Sequence, residues 1–271
     1  MWAIIKKTSH FTERLAMNIK NALKNLGAAV LYLGIYLGCQ FAVAFGALFF
    51  VGDVNKYLAH LSVIASVLTI AIYILIFVLR RKNVTVEIGI KKIRPVSYVL
   101  MPIFGAAVNV IMAYILALIP FPESWLNEYE TAISMITAPN DVMAIIYTVL
   151  LAPLCEEITI RGLVHTRIRR ILPSFAAMII SSCIFGMIHG ITIQVIYASL
   201  LGLLLAWVFE KSDSLLASIL FHIGFNTCGL LIPLYHGNLP ILVAVCTAIS
   251  VGTVMYIQNT SERKIEFIGK Y

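Results

Sequence analysis

The sequence predicts an all-α protein that crosses a lipid bilayer about eight times, with both termini in the cytoplasm. Hydrophobic residues make up 61% of the 271 residues, charged residues make up only 12%, and the mean hydropathy is +0.94. A soluble domain is closer to half apolar and a quarter charged. Because so few charged side chains cannot cover a water-facing surface, the bilayer has to be the main solvent of this chain.

Apolar runs recur along the chain at about the 20 residues that a membrane-spanning helix needs. Polar residues separate these runs, and the least distinct separation is at 190/191. The sequence contains no internal repeat and no low-complexity segment. The predicted spans are 27–50, 58–79, 96–119, 142–163, 174–190, 191–209, 214–235 and 239–257.

The positions of the basic residues predict how these spans are oriented. With the N-terminus in the cytoplasm and alternating spans, every Lys and Arg except Lys56 is assigned to the cytoplasmic side. The connection 120–141 lies on the opposite side and carries four acidic residues and no basic one. This asymmetry follows the positive-inside rule, and a single miscounted span would destroy it.

One transmembrane domain, 27–260, is expected between two short flanking segments. Residues 1–26 interleave basic and apolar residues, which is typical of an amphipathic helix on a membrane surface. They contain no compact apolar run followed by a cleavage site, so no signal peptide is expected. Residues 261–271 are expected to form a cytoplasmic tail. The net charge of +7 is not clustered with stacking aromatics, which argues against nucleic acid as a partner and favours the lipid bilayer.

The cysteines and four of the histidines are expected to have structural or surface roles. The five cysteines lie in apolar runs without CxxC spacing, so neither a disulfide framework nor a zinc knuckle is expected. Cys155 is a poor candidate nucleophile because an apolar setting disfavours the thiolate. Solvated or interfacial positions are expected for His10, His60, His165 and His236, which lie near the ends of predicted spans.

A few polar and ionisable residues lie inside the predicted spans, where each charge costs about 2.5–3.5 kcal/mol on insertion scales. Glu157 and Arg161 are four residues apart in the order that favours a helical ion pair. Glu156 points about 100° away from Glu157 and lacks this partner, so it is suited to accept a proton from water. The full set is Glu156, Glu157 and Arg161 in span four, His189 in span five, and His222 with Asn226 in span seven.

A hairpin of spans four and five brings two of these residues to a common depth. If the tip of this hairpin lies near Ile171 and Leu172, Glu156 and His189 both lie about 22–26 Å from the tip. His222 matches this depth only if the turn before span seven lies deeper in the bundle. His222 and Asn226 share one helix face, as do Phe185 and His189. Together these residues offer a base, donors for an oxyanion and candidate metal ligands.

These residues resemble the motifs of the CAAX prenyl endopeptidase and bacteriocin-processing family, the CPBP intramembrane proteases. The family shows EExxxR, FxxxH and HxxxN or HxxxD, and the chain carries all three motifs between residues 142 and 232. The matching residues are Glu156, Glu157 and Arg161, then Phe185 and His189, then His222 and Asn226.

The resemblance implies an intramembrane endopeptidase in which Glu156 and His189 activate a water. It also implies that His222 and Asn226 stabilise the oxyanion, and that Glu157 and Arg161 orient Glu156 and its span. The family has been described both as metal-independent and as metal-dependent. A divalent metal such as zinc, with Glu156, His189 and His222 as candidate ligands, therefore stays an alternative to a cofactor-free site. The HExxH arrangement of zincins is missing from the sequence.

Two other functions use the same buried polar residues. A transporter could use Glu156 as a proton site, but the inverted repeats typical of transporters are not found. A non-catalytic immunity or scaffold protein could keep the fold without the reaction. The expected substrate is a membrane-associated or hydrophobic peptide. The resemblance favours processing of peptide pheromones or bacteriocin-like leaders, and the short loops favour a bacterial plasma membrane.

Overall fold

A computed structural model of the chain describes residues 2–50, 54–136 and 141–268, and over these residues the fold is an all-α bundle, as predicted. The predictions for segments 1–26 and 261–271 concern side chains that lie mostly outside this description, although the backbone of the first helix is continuous. The helices are α1 (Trp2–Phe50), α2 (Leu58–Leu79), α3 (Val84–Glu87), α4 (Pro95–Ala117), α5 (Glu123–Ile136), α6 (Val142–Arg169), α7 (Ser174–Met187), α8 (Thr192–Ser212), α9 (Leu215–Leu231) and α10 (Leu239–Ile268).

Seven of the described helices are long and apolar enough to cross a membrane, so the chain is a multi-pass membrane protein. They are α1 from Ile19 onward, α2, α4, α6, α8, α9 and α10. The remaining predicted span, 174–190, contains α7, which has only 14 residues. At 1.5 Å per residue α7 rises about 21 Å, less than the ~30 Å hydrocarbon core. The eight predicted spans are therefore seven long helices and one short helix that packs along α8.

Helix α6 lies at the centre of the bundle and packs against α1, α2, α7 and α9. Two π-helical stretches, Tyr147–Leu151 and Ile158–His165, widen it on either side of the Ala152–Glu157 segment. Such stretches are frequent at functional sites, and they shift side chains out of the regular helical register. Hydropathy alone did not predict them.

Helices α4 and α9 make the most extensive helix–helix contact of the described structure. Gly105 on α4 faces the backbone of Phe221, and Gly224 on α9 faces the backbone of Pro102. A Cβ atom at either glycine would overlap a carbonyl oxygen of the other helix. Small residues therefore let the two backbones approach, as in other membrane helix pairs, and this contact fixes the position of the α9 face that follows Phe221.

The basic connections lie together at one end of the bundle. Three ion pairs join them: Arg167 to Glu87 at 3.0 Å, Lys91 to Asp213 at 2.7 Å, and Arg169 to Glu210 at 3.1 Å. At the opposite end, the segment expected as an acidic loop contains α5, which packs on α8. The segregation agrees with the charge pattern of the sequence, and the cytoplasmic location of the basic end stays a prediction.

Candidate functional site

The predicted ion pair on α6 is present and fully enclosed. The Arg161 guanidinium donates to a Glu157 carboxylate oxygen at 2.8 Å, and both side chains are completely buried. Arg161 also donates to the Gly202 carbonyl at 3.0 Å and lies 4.3 Å from the centre of the Phe185 ring. These contacts tie α6 to α7 and α8 and satisfy a buried charge that would otherwise be very costly.

Glu157 has two further partners, both on α9. The Ser218 hydroxyl donates to its second carboxylate oxygen, and Nδ1 of His222 lies 3.1 Å from the oxygen that Arg161 contacts. A carboxylate only accepts hydrogen bonds, so Nδ1 of His222 carries a proton. The resemblance implies that Glu157 and Arg161 orient Glu156 and its span, which stays a prediction; Glu157 in addition contacts His222 on α9.

These contacts also answer the question of depth that the sequence left open for His222. Ser218 lies only four residues past Ser214, where α9 begins. It nevertheless hydrogen-bonds Glu157, which lies 14 residues before the tip of the α6–α7 hairpin at Ile171. The turn between α8 and α9 therefore lies deeper in the bundle than the tip of the α6–α7 hairpin. The Ser214 hydroxyl and the amide of Leu215 bind the backbone of Lys91 and Gly89, which lies across that turn.

Glu156 points away from this cluster and into a cavity. The cavity has a volume of about 570 Å³ and is lined by Glu156, His189, His222 and Asn226. A carboxylate oxygen of Glu156 is 4.0 Å from Nε2 of His222.

His189 lies in a turn rather than inside a helix. The prediction placed it in span five, but α7 ends at Met187, and the chain reverses at Gly190, which has a φ of +73°. Nδ1 of His189 is 2.7 Å from the Phe185 carbonyl, one of the acceptors that a helix end leaves free. A carbonyl cannot donate, so Nδ1 carries a proton, and Nε2 is the nitrogen that is left for another partner.

Asn226 completes the predicted set from the face of α9 that carries His222. Its amide group donates to the Thr148 carbonyl at 2.8 Å, in the first π-helical stretch of α6. One N–H of the amide is used in this bond and the second is left for a ligand. All four predicted reactive side chains therefore line one cavity, although they come from two helices, α6 and α9, and the turn after α7.

The candidate metal ligands do not form a metal site in this geometry. Among the residues that the structure describes, no three His, Cys, Asp or Glu side chains are grouped to hold a metal ion. The candidate ligands therefore stay a prediction, and the proposed mechanism uses no metal ion.

The prediction of a solvated or interfacial position is wrong for His165. His165 was expected at a solvated or interfacial position, but it is only 1% exposed. Its two ring nitrogens contact the Ser181 hydroxyl at 3.1 Å and a Glu210 carboxylate oxygen at 3.0 Å. Since Ser181 is on α7 and Glu210 is on α8, His165 on α6 lies in the packing between these three helices. Arg169 contacts the same Glu210 oxygen.

Several cavity residues outside the predicted set were missed. Tyr36 comes from α1, Asn109 from α4, and Tyr129 and Tyr197 from α5 and α8. Burial raises the pKa of the Tyr129 phenol, so it stays a proton donor near neutral pH. Asn109 carried a usable signal, since it is the one amide side chain of an otherwise apolar helix. The tyrosines carried none, because tyrosine is common in membrane helices.

Comparison with known families identifies one matching region. Residues 138–228 match the family model described as Type II CAAX prenyl endopeptidase Rce1-like, and this range contains all the predicted reactive residues. Comparisons with curated proteins and with solved structures gave no match.

Proposed function

Residues 138–228 belong to the Rce1-like family of type II CAAX prenyl endopeptidases, a family of intramembrane proteases, and we propose that this protein hydrolyses peptide bonds inside the membrane. The proposed substrate is a membrane-associated or hydrophobic peptide. The observation that carries the proposal is the position of Glu156, which faces a cavity in the bundle beside His222, while Glu157 next to it is sealed away.

In the proposed mechanism Glu156 is the general base. A water bound between Glu156 and the free Nε2 of His189 gives a proton to the Glu156 carboxylate as its oxygen attacks the substrate carbonyl carbon. His189 is suited to this role because its other nitrogen is fixed by the Phe185 carbonyl, which leaves an acceptor for the second hydrogen of the water.

The negative charge that develops on the carbonyl oxygen is proposed to be stabilised by two donors on α9. The proposed mechanism requires the His222 ring to carry both protons, so that Nε2 donates to the oxyanion while Glu157 holds Nδ1. Asn226 donates its second amide N–H. Preorganised donors of this kind contribute strongly in a water-poor cavity, because they need no reorganisation when the charge appears. Collapse of the intermediate then transfers the proton from Glu156 to the departing amine.

The biological setting is part of the proposal. We place the protein in a bacterial plasma membrane, where processing of peptide pheromones or bacteriocin-like leaders is the proposed role. The family membership and the short connections of the bundle support this setting. A comparison of membrane peptides from cells with and without an active Glu156 tests it directly, since the substrate accumulates uncleaved in the Glu156→Gln cells.

The proposed reaction is tested in proteoliposomes with a quenched-fluorescent hydrophobic peptide library. Glu156→Gln and His189→Ala are each expected to lower the cleavage rate by about 10²–10⁴-fold. Glu123→Gln and His236→Ala, which change an exposed carboxylate and an exposed imidazole of the same chain, serve as matched controls.

Normal cleavage by a folded Glu156→Gln protein contradicts the proposal. Glu156-dependent uptake of a solute into the same vesicles, without cleavage, supports a transporter instead. Complementation of a deletion strain by Glu156→Gln supports a non-catalytic immunity or scaffold role.

A further inference from the structure

Two buried polar atoms beside Asn226 have no hydrogen-bond partner. They are Oδ1 of Asn109 on α4 and Oγ1 of Thr148 on α6. The Asn109 side chain is only 9% exposed and lies between apolar neighbours in the middle of α4. Leaving a buried polar group unpaired costs about 1–3 kcal/mol, so each such group needs an explanation in terms of a ligand or a function.

Both residues line the cavity that contains Glu156, and both are adjacent to the predicted oxyanion donor. The Thr148 carbonyl accepts the hydrogen bond that holds Asn226. The Asn109 amide nitrogen packs against Gly229, which is one helical turn past Asn226 on α9, and a Cβ atom at Gly229 would lie 3.3 Å from it. Asn109 and Thr148 therefore both lie at the Asn226 end of the cavity.

The chemistry of the cavity indicates what would pair with them. Among its described lining residues there is no Lys, Arg or Asp, and Glu156 is the one carboxylate. The remaining lining groups are aromatic, aliphatic, amide, hydroxyl and imidazole side chains. A peptide that enters such a cavity in extended form loses the water that bound its backbone, and every N–H and C=O then needs a protein partner.

We propose that Asn109 and Thr148 form a backbone-binding subsite for an uncharged, extended peptide, which sets the scissile carbonyl against Asn226. The subsite rests on the proposed peptidase function and specifies its substrate class. Oδ1 of Asn109 accepts a backbone N–H of the substrate, and the Thr148 hydroxyl accepts a second N–H or donates to a carbonyl. The pairing relieves both unsatisfied atoms only when a peptide is bound, so these residues act as positioning residues.

The experiment measures peptide binding separately from hydrolysis. The probe is an end-capped nine-residue peptide of alanine, leucine and serine with an environment-sensitive fluorophore. It is titrated into nanodiscs that contain the Glu156→Gln protein, so that no cleavage occurs. Asn109→Leu and Thr148→Val, which keep the side-chain volume and remove the polar atom, are each expected to raise Kd about tenfold. Thr148→Ser, which keeps the hydroxyl, is expected to bind like the parent.

A set of probes with a single N-methyl group at each successive position distinguishes a subsite from a structural role. One methyl position is expected to weaken binding about tenfold in the parent and to have no further effect in Asn109→Leu. Unchanged affinity in both variants, equal weakening at all methyl positions, or no binding at all overturns the subsite. If binding depends on these residues but the unsubstituted protein cleaves no peptide, the proposed function fails and the subsite stands.

Discussion

Glu156 and Glu157 are neighbours in the chain, but the regions that they face differ in almost every physical respect. The Glu157 carboxylate is fully buried and contacts Arg161, Ser218 and His222. Glu156 is 8% exposed, faces a cavity of about 570 Å³, and has the imidazole of His222 at 4.0 Å as its nearest ionic partner. A carboxylate whose oxygens are both hydrogen-bonded within the protein stabilises the fold. A carboxylate that faces a cavity is available to a water and a substrate.

The largest effect on stability is expected when Arg161, the ion-pair partner of the buried Glu157 carboxylate, is replaced. Arg161→Met leaves the buried Glu157 carboxylate with only Ser218 and His222 as partners, and loss of one member of a buried ion pair costs about 3–5 kcal/mol. The free energy of unfolding in detergent measures this. Arg169→Met is the matched control in the same helix, because the Arg169 pair is half exposed and is expected to contribute less than about 1 kcal/mol. Equal losses in the two variants contradict the comparison.

The next effect is expected at the helix contact that positions the α9 partners of Glu157. Gly224→Ala puts a methyl group against the Pro102 carbonyl, so α9 has to shift and the protein is expected to lose about 1–3 kcal/mol of stability. Gly252→Ala on α10 meets no atom within 4 Å and is expected to be neutral or slightly stabilising. Thermal unfolding of both variants measures the difference. A Gly224→Ala protein as stable as Gly252→Ala means that the α4–α9 contact is not tight.

A smaller loss is expected when one hydrogen bond to Glu157 is removed. Ser218→Ala deletes the hydroxyl that donates to its carboxylate, and a bond to a charged group contributes about 1.5 kcal/mol or somewhat more. Ser250→Ala is the control, since the Ser250 hydroxyl is buried but has no partner in the described structure. Its removal is expected to cost nothing. Stability that falls equally in both variants means that the Ser218 bond contributes little.

The smallest effect is expected at Cys155, which is beside Glu156 in the chain but not in the cavity lining. Its thiol is buried and points toward the Ser66 carbonyl at 3.9 Å. Cys155→Ala is expected to keep the peptide cleavage rate within about twofold, because the thiol takes no part in the mechanism. A loss comparable to that of Glu156→Gln revives the thiol as a nucleophile.

The sequence alone predicts much of this difference between Glu156 and Glu157. The i, i+4 spacing of Glu157 and Arg161 predicts their ion pair, and the 100° step between adjacent residues predicts that Glu156 points elsewhere. The spans follow from hydropathy because lipid tolerates few polar side chains. Hydropathy does not predict that α7 is short, because the apolar run of α7 continues through the turn into α8.

Other features depend on contacts between helices that are distant in the chain. The role of Glu157 in holding His222 requires knowing how deep the α8–α9 turn lies, and that depth is set by backbone contacts with residues near Lys91. The burial of His165 depends on Glu210, 45 residues away. The π-helical stretches, which shape the site around Thr148, leave no hydropathy signal.

The most direct test of the division between the two carboxylates is a side-by-side measurement of Glu156→Gln and Glu157→Gln, scored for peptide cleavage and for unfolding free energy. Glu156→Gln is predicted to lose about 10²–10⁴-fold in cleavage rate while its stability stays within about 1 kcal/mol of the parent. Glu157→Gln is predicted to lose about 3–5 kcal/mol of stability, because Arg161 is left without its counter-charge. Full cleavage by Glu156→Gln, or unchanged stability of Glu157→Gln, contradicts the account.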